Sequence, residues 1–348
     1  MEKIGFGIVG LGMIAEFHAQ AIEHMDGAVL VAGFDPVSEK ATKFAAKHQC
    51  KGYDRLDDFL RDPGIAVCTI ATPSGLHLEG ALAVAEAGKH MLVEKPLEIT
   101  PSRCRRIIDA CRKRGVLLSG IFPSRYHEPA RLVKQAIEKG RFGRICFADA
   151  QIKWYRSQEY YDSGTWRGTW KMDGGGCLMN QGIHAIDLLQ WFMGPVATVT
   201  AFTGTLGHTG IEVEDTAAAI LRFKNGALGT IEGTTCAYPG FLKRIEILGT
   251  EGSAIIEEEN LTSWQFAHEE KEDATIRETY LHATSTGGGA ADPSAISYIS
   301  HQKQFESFVR SIRKGEEPEI TGESASKAID IICAAYESAQ TGKPVVLG

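Results

Sequence analysis

The 348-residue chain has eight cysteines, at 50, 68, 104, 111, 146, 177, 236 and 333, yet no two of them form a C-x-x-C pair. No zinc-ribbon or thioredoxin-type motif can be read from them, and no disulfide framework. A metal site is not expected, and the cysteines read as small core residues of a reduced, cytoplasmic protein. Long apolar runs are missing as well. Charge interrupts each one, so no segment is expected to span a bilayer. The opening residues have neither a basic n-region nor a small-residue cleavage site, so no secretory signal is expected. There is no basic excess. The formal net charge is −7, which disfavours nucleic acid as a partner. Internal repeats are absent, which sets solenoid folds aside.

What is present is a globular composition, 43% hydrophobic and 23% charged. The length exceeds that of one growing core, so two domains are expected, at 1–124 and 125–348. In the first, strand-like stretches at 3–9, 28–35, 65–71, 90–94 and 116–121 alternate with helical ones at 12–25, 38–47, 76–87 and 101–114. The run IAVCTIA at 65–71 is apolar throughout, as a parallel strand covered on both faces requires. This alternation predicts an α/β domain of Rossmann type, a doubly wound parallel sheet. After 125 the rhythm changes. A helix at 128–139 is followed by strands at 144–154, 196–204, 216–223, 227–235, 243–248 and 253–257, and helices at 299–314 and 323–341 close the chain. Asn225-Gly226 between two of these strands marks a hairpin. An α+β second domain follows, and the glycine-rich stretch 285–293 reads as a mobile loop.

Gly10-Leu11-Gly12-Met13-Ile14-Ala15 fits G-x-G-x-x-A between a strand and a helix. Gly10 permits the tight turn and Gly12 lets the backbone approach a pyrophosphate. The N–H groups opening the helix, at Met13 and Ile14, face the anion. The alternative is a tight turn with no ligand. Asp35 closes the second strand, where a carboxylate can accept from the adenosine ribose hydroxyls. A 2′-phosphate would be repelled there, and Pro36-Val37-Ser38-Glu39 supplies no arginine, so NAD is favoured over NADP. Thr72-Pro73-Ser74 follows the next strand and would lie along the nicotinamide ribose. His77 reads equally as a helix cap or a cofactor contact. Lys95, in GKHMLVEKPL at 88–97, ends a strand at the carboxyl edge where open α/β sheets bind ligands, and is the first candidate for a catalytic residue.

GIVGLGMIA, ATPSGLH, AGKHMLVEKPL, RFGRI, DGGGCLMNQGIHAIDLL, VEDTAAAILRFKNGALGTIEG, ILGTEGSA and YESAQTGKPV together resemble, nearly end to end, the glucose–fructose oxidoreductase / inositol dehydrogenase / rhizopine-catabolism family of NAD(P)-dependent oxidoreductases. The resemblance implies a Rossmann domain followed by a large open, mainly antiparallel sheet that mediates homodimers or homotetramers. It implies that the EKP lysine, here Lys95, and a D-x-x-x-H pair surround the substrate carbon. The histidine maps to His184, but the aspartate position holds Asn180, an amide that cannot serve as acid or base at neutral pH. Cofactor contacts are implied at Glu94, Lys95, Trp166 and Arg167, and substrate contacts at Arg125 and Tyr126, with ordinary packing the alternative at each pair. A cis peptide before Pro96 belongs to the family pattern, and the residues leave it open.

The residue types support the chemistry. Oxidising a secondary alcohol needs a base for the hydroxyl proton while a hydride leaves for nicotinamide. His184 has the intrinsic pKa for that base. Lys95 would stabilise the charge developing on the same oxygen. Asn180 would orient substrate or lysine, sharing a helical face with His184. An aspartate at 180 would favour the charged forms of Lys95 and His184, so the amide leaves His184 an unprotonated base to lower pH. Gly174-Gly175-Gly176 would let the backbone pass close to ligand or lysine, or form a plain turn. Tyr155, Tyr160 and Tyr161 are candidates for the pocket rim.

The reading is an NAD-dependent dehydrogenase acting on a sugar, sugar derivative or inositol. The NQGIH variant also resembles enzymes that oxidise the 3-hydroxyl of nucleotide-linked amino sugars. Two readings stand beside it: a glycosidase using NAD for transient oxidation, and a non-catalytic dinucleotide-binding sensor.

Overall fold

A computed structural model describes residues 2–164, 166–281 and 297–348, so the glycine-rich stretch 285–293, with Gly287–Gly289, lies outside the described residues. Six short strands carry the first unit: β1 (Ile4–Val9), β2 (Ala28–Phe34), β3 (Lys51–Tyr53), β4 (Val67–Ile70), β5 (His90–Val93) and β6 (Leu118–Gly120). They pair in parallel in the order β3-β2-β1-β4-β5-β6. The strand order therefore reverses between β1 and β4, where doubly wound sheets bind ligands. The crossovers are α1 (Met13–Glu23), α2 (Ser38–His48), α3 (Leu56–Arg61), α4 (His77–Glu86) and α5 (Pro101–Arg114). Local chemistry bounds α5. Thr100 accepts from Arg103 N, Pro101 opens the first turn, and Gly115 closes it at φ 66° after Arg112, Lys113 and Arg114. β3 and α3 lie in a stretch that reads as polar connection, being too short to show a period.

The second unit contains α6 (Glu128–Glu138), β7 (Ile145–Lys153), α7 (Gln158–Asp162), α8 (Ile183–Met193), β8 (Val196–Gly204), β9 (Thr216–Phe223), β10 (Leu228–Thr234), β11 (Arg244–Gly249), β12 (Gly252–Glu257), β13 (Asn260–Phe266) and α9 (Lys271–Tyr280). After α10 (Ile299–Lys314) and α11 (Gly322–Thr341), β14 (Val345–Val346) completes an eight-stranded sheet in the order β13-β12-β11-β7-β10-β9-β8-β14. Its pairs are antiparallel except β7 with β10. Period-two alternation sets its faces. In β9, Ala217, Ala219, Leu221 and Phe223 are buried, while Ile220 points to the other face with Phe202 and Leu228 and is exposed. The Asn225-Gly226 hairpin forms, with Asn225 Oδ1 accepting from Ala227 N. β13 and α9 went unread. Their junction is held by Asp273, buried because Arg141 and the Trp264 indole N–H both bond its carboxylate.

The first unit runs to Pro123 and also includes Ser297–Ser326, which sequence reading places in the second domain. The reason is apolar packing. Phe305, Phe308 and Val309 of α10 join the core of Phe6, Ile8, Ala15, Ala19 and Ile22, with the Phe6 and Phe305 rings stacked 6.1 Å apart.

Candidate active site

Between β1 and α1 the chain turns over Gly10-Leu11-Gly12. Gly10 has φ +90°, and a Cβ there would lie 2.8 Å from Thr72 Cγ2 and 2.9 Å from Thr72 N, so both conformation and space demand glycine. Gly12 caps α1 without a side-chain acceptor and has open space around it. The N-terminal N–H groups of α1, from Met13 and Ile14, are thus left to an external anion. Asp35, just past β2, accepts from Leu11 N at 3.1 Å and from Val37 N at 3.0 Å, tying the glycine turn to the end of β2. Thr72 Oγ1, before Pro73 at the carboxyl edge of β4, is buried with no hydrogen-bond partner among the described residues. An orphaned buried hydroxyl calls for a ligand. The uncapped helix start, the open glycine and this hydroxyl fit the pyrophosphate and ribose of a dinucleotide.

β5 delivers Glu94 and Lys95 to the same edge, and the Lys95–Pro96 peptide is cis. Lys95 is half-buried. Glu94 is buried, and its carboxylate accepts from His18 Nε2 at 2.9 Å and from Lys95 N at 3.0 Å, with His301 Nε2 at 3.6 Å. His18 is held in turn by Thr69 Oγ1 at 3.1 Å. Burial pushes the Glu94 carboxyl up, but the imidazoles of His18 and His301 outweigh it and hold the group well below the usual range. The Glu94 carboxylate, expected at the cofactor, is bonded to His18 and to the main chain of Lys95. His77 is held by main-chain partners. It is 1% exposed, and its two ring nitrogens each lie 2.9 Å from a carbonyl, of Pro96 and of Thr72. It straps the loop after β4 to the loop after β5.

In the second unit a π-helical turn, Cys177–Gly182, runs into α8. Buried Glu214 anchors its start, accepting from Gly176 N at 2.8 Å, Leu178 N at 2.9 Å and Tyr336 Oη at 2.9 Å. A Cβ on Gly176 would lie 1.7 Å from Glu214 O. The Gly174–Gly176 run thus passes close to Glu214. Asn180 lies in the π-helical turn and His184 in the first turn of α8, so the plain α-helix that their spacing suggests gives way to a wider turn, a feature frequent at functional positions. Asn180 Nδ2 donates to Asp173 Oδ1 at 2.7 Å, and Asp173 Oδ2 accepts from Gly168 N at 3.0 Å. Arg167 bonds Tyr160 O and Ser163 Oγ, its guanidinium 4.5 Å from the Tyr160 ring and 5.3 Å from that of Trp166. Its Nε is buried with no hydrogen-bond partner among the described residues, one donor still to satisfy. Tyr161 is buried, its hydroxyl bonded to Thr235 Oγ1 at 2.9 Å, while Tyr155 packs edge-on against Tyr238.

Arg125 and Tyr126, expected at the substrate, are both buried in the second unit. Arg125 is buried and grips buried Asp187 with two bonds, Nε to Oδ2 at 2.7 Å and Nη2 to Oδ1 at 2.5 Å. A buried carboxylate requires such a partner. Tyr126 is buried, with the Arg131 guanidinium 4.7 Å from its ring centroid. Sequence reasoning missed Asp173, although it adjoins the glycine triplet. It also missed His18, hidden in the apolar spacing of α1, and His301, for which nothing local signals a role.

A family model described as an oxidoreductase family with an NAD-binding Rossmann fold matches residues 4–122, and one described as the GFO/IDH/MocA C-terminal domain matches residues 130–255. Similar solved structures include the WlbA dehydrogenase of Bordetella pertussis in complex with NADH and UDP-GlcNAcA, 35% identical with a TM-score of 0.89, covering 100% of this chain and 99% of that one. The myo-inositol 2-dehydrogenase of Thermotoga maritima is 26% identical over 361 residues, 98% of each chain. The 2,7-anhydro-N-acetylneuraminate hydratase of Mediterraneibacter gnavus is 24% identical over 348 residues, 95% of this chain and 88% of that one. Because the two family matches follow each other in chain order, one on each unit, and together cover most of the sequence, the chain belongs to the GFO/IDH/MocA family of NAD-dependent oxidoreductases.

Proposed function

We propose that the protein oxidises a secondary hydroxyl of a sugar, sugar derivative or inositol, with nucleotide-linked amino sugars the favoured class. The observation that carries the reading is Lys95 at the carboxyl end of β5, on the same sheet edge as the glycine turn and the orphaned Thr72 hydroxyl. The preference within sugars rests on the NQGIH variant and on the UDP-GlcNAcA bound to WlbA. NAD, when bound, supplies the hydride acceptor. Asp35 takes the adenosine ribose and disfavours a 2′-phosphate. In this reading His184 accepts the hydroxyl proton, and the Lys95 ammonium stabilises the negative charge that develops on the oxygen. Asn180, held by Asp173, orients the substrate.

The test is a panel of nucleotide sugars, free sugars and inositols with NAD, followed by NADH absorbance. NADH formation with a nucleotide-linked amino sugar is the expected result, and formation only with inositols or free sugars would move the substrate class. The hydratase relative favours one second reading, transient oxidation without net redox. It would replace the first if an anhydro-sugar or glycoside were consumed with no NADH released. NAD binding with no turnover of any compound would leave a sensor.

A further inference from the structure

Away from the residues assigned to dehydrogenation, His208, Asp215 and Cys236 converge within the second unit from two segments: the β8–β9 loop, which carries His208 and Asp215, and the chain just past β10. His208 Nδ1 lies 3.1 Å from Asp215 Oδ2 and 3.6 Å from Cys236 Sγ. The other ring nitrogen, Nε2, lies 2.8 Å from the Arg156 carbonyl oxygen, which can only accept, so Nε2 carries the hydrogen. In the neutral ring, Nδ1 then aims a lone pair at a carboxylate oxygen and a sulfur. Three electron-rich atoms facing one another need a positive centre, a proton or a metal cation.

The two separations from Nδ1 fit a metal. A tetrahedral zinc with bonds of about 2.05 Å to nitrogen, about 2.3 Å to sulfur and about 2.0 Å to oxygen sets N···S near about 3.6 Å and N···O near about 3.3 Å. The supporting groups suit one too. The Asp215 carboxylate is gripped by the N–H groups of Leu206 (2.8 Å), Gly207 (2.9 Å) and His208 (2.9 Å) and by the Thr216 hydroxyl (3.1 Å). The carbonyl behind His208 fixes the tautomer, as partners of metal-binding imidazoles do. The Tyr161 ring lies 4.6 Å from that of His208. Gly207 leaves room for the sulfur: a Cβ there would sit 2.6 Å from Cys236 Sγ. His208 and Asp215 are enclosed, while Cys236 is half-buried, which gives an ion a way in.

We propose that His208 Nδ1, Asp215 Oδ2 and Cys236 Sγ form a three-ligand site for a divalent cation of the zinc type, completed by water. Thiolate with imidazole and carboxylate selects such a borderline cation over magnesium or calcium. On binding, the S–H bond breaks, the sulfur–metal bond forms and the proton leaves to solvent. The ion would be structural. It would clamp the loop ending at Glu214, the residue that anchors the π-helical turn bearing Asn180. The 208, 215 and 236 spacing matches no sequence motif, which is why no metal was expected.

The test titrates chelator-stripped full-length protein with cobalt(II) and then zinc(II). One cobalt per chain should give a thiolate-to-cobalt charge-transfer band that one equivalent of zinc bleaches. Zinc should release at least one proton per chain in weak buffer and raise the thermal midpoint. Cys236→Ser and His208→Gln, with parental circular dichroism, should lose the band. Folded parent protein showing no band at stoichiometric cobalt would overturn the proposal, as would a band that survives in Cys236→Ser.

Discussion

Asn180→Asp tests the electrostatics of the second unit. Asn180 Nδ2 donates to Asp173 Oδ1 at 2.7 Å, and Asp173 is buried. The replacement is nearly isosteric, so it puts a second carboxylate where an amide now donates. At that separation two unit charges repel by about 6 kcal/mol in an effective dielectric of about 20, and by about 4 kcal/mol if the side chains part to about 4 Å. Holding a proton costs only about 1.4 kcal/mol per pH unit. The pair therefore keeps one shared proton near neutrality and titrates as a dyad. The expectation that an aspartate here simply adds charge beside His184 changes accordingly: His184 meets little new charge until the shared proton leaves. The folded dyad retains a proton that the unfolded chain has lost above about pH 4, so the variant loses stability relative to the parent as pH rises, until the folded pair has also deprotonated. In urea unfolding, the deficit of the variant should be about 2–4 kcal/mol larger at about pH 8 than at about pH 5. Its kcat/KM profile should overlay the parent's on the acid side. Parallel stability-versus-pH curves for variant and parent would refute the dyad.

Lys95→Ala should lower kcat by about 10²–10³ while NAD affinity stays within a few-fold, because the lysine is assigned to the reacting oxygen; near-normal turnover in steady-state kinetics would remove it from the mechanism. Asp35→Ser with Pro36→Arg should shift kcat/KM toward NADP, and should also raise KM for both cofactors, since serine cannot keep both the Leu11 and Val37 bonds; an unchanged NAD/NADP ratio would place Asp35 away from the ribose. Asp149 on β7 is buried, and burial together with Glu246 and Glu232 pushes its carboxyl up to about 6. Its stabilising proton is held below that pH and lost as pH rises through it, so Asp149→Asn should gain about 1–2 kcal/mol at about pH 8 and little at about pH 4. Equal gains at both pH values in denaturant melts would contradict this. Phe202, Ile220 and Leu228 leave an apolar patch on the open face of the eight-stranded sheet, so a symmetric homodimer or homotetramer is expected; a monomer mass by light scattering at micromolar concentration would count against it.

Much of the chain is legible locally. α5 begins and ends where Thr100, Pro101 and Gly115 direct, and β8 and β9 span the residues that their alternation marks, because caps and periods are properties of neighbouring residues. The glycine turn and the place of Lys95 at a strand end follow from the same local order. Which polar group meets which does not. His77 reads as a cap or a cofactor contact until two carbonyls from separate loops close on its ring. Nothing near Arg125 in the sequence shows that Asp187 takes its guanidinium. His301 reaches Glu94 only because the phenylalanines of α10 return that helix to the first unit. Asn180 stands in the sequence as a lost acid, yet Asp173 supplies a carboxylate 2.7 Å away. A buried charge or donor must be matched wherever the chain brings a partner, and that partner is chosen by the packing of distant segments rather than by spacing along the chain. The sequence alone therefore determined the longer elements, the dinucleotide turn and the family. The tertiary structure decided which polar groups meet, and so which of the marked residues are held by partners from distant segments.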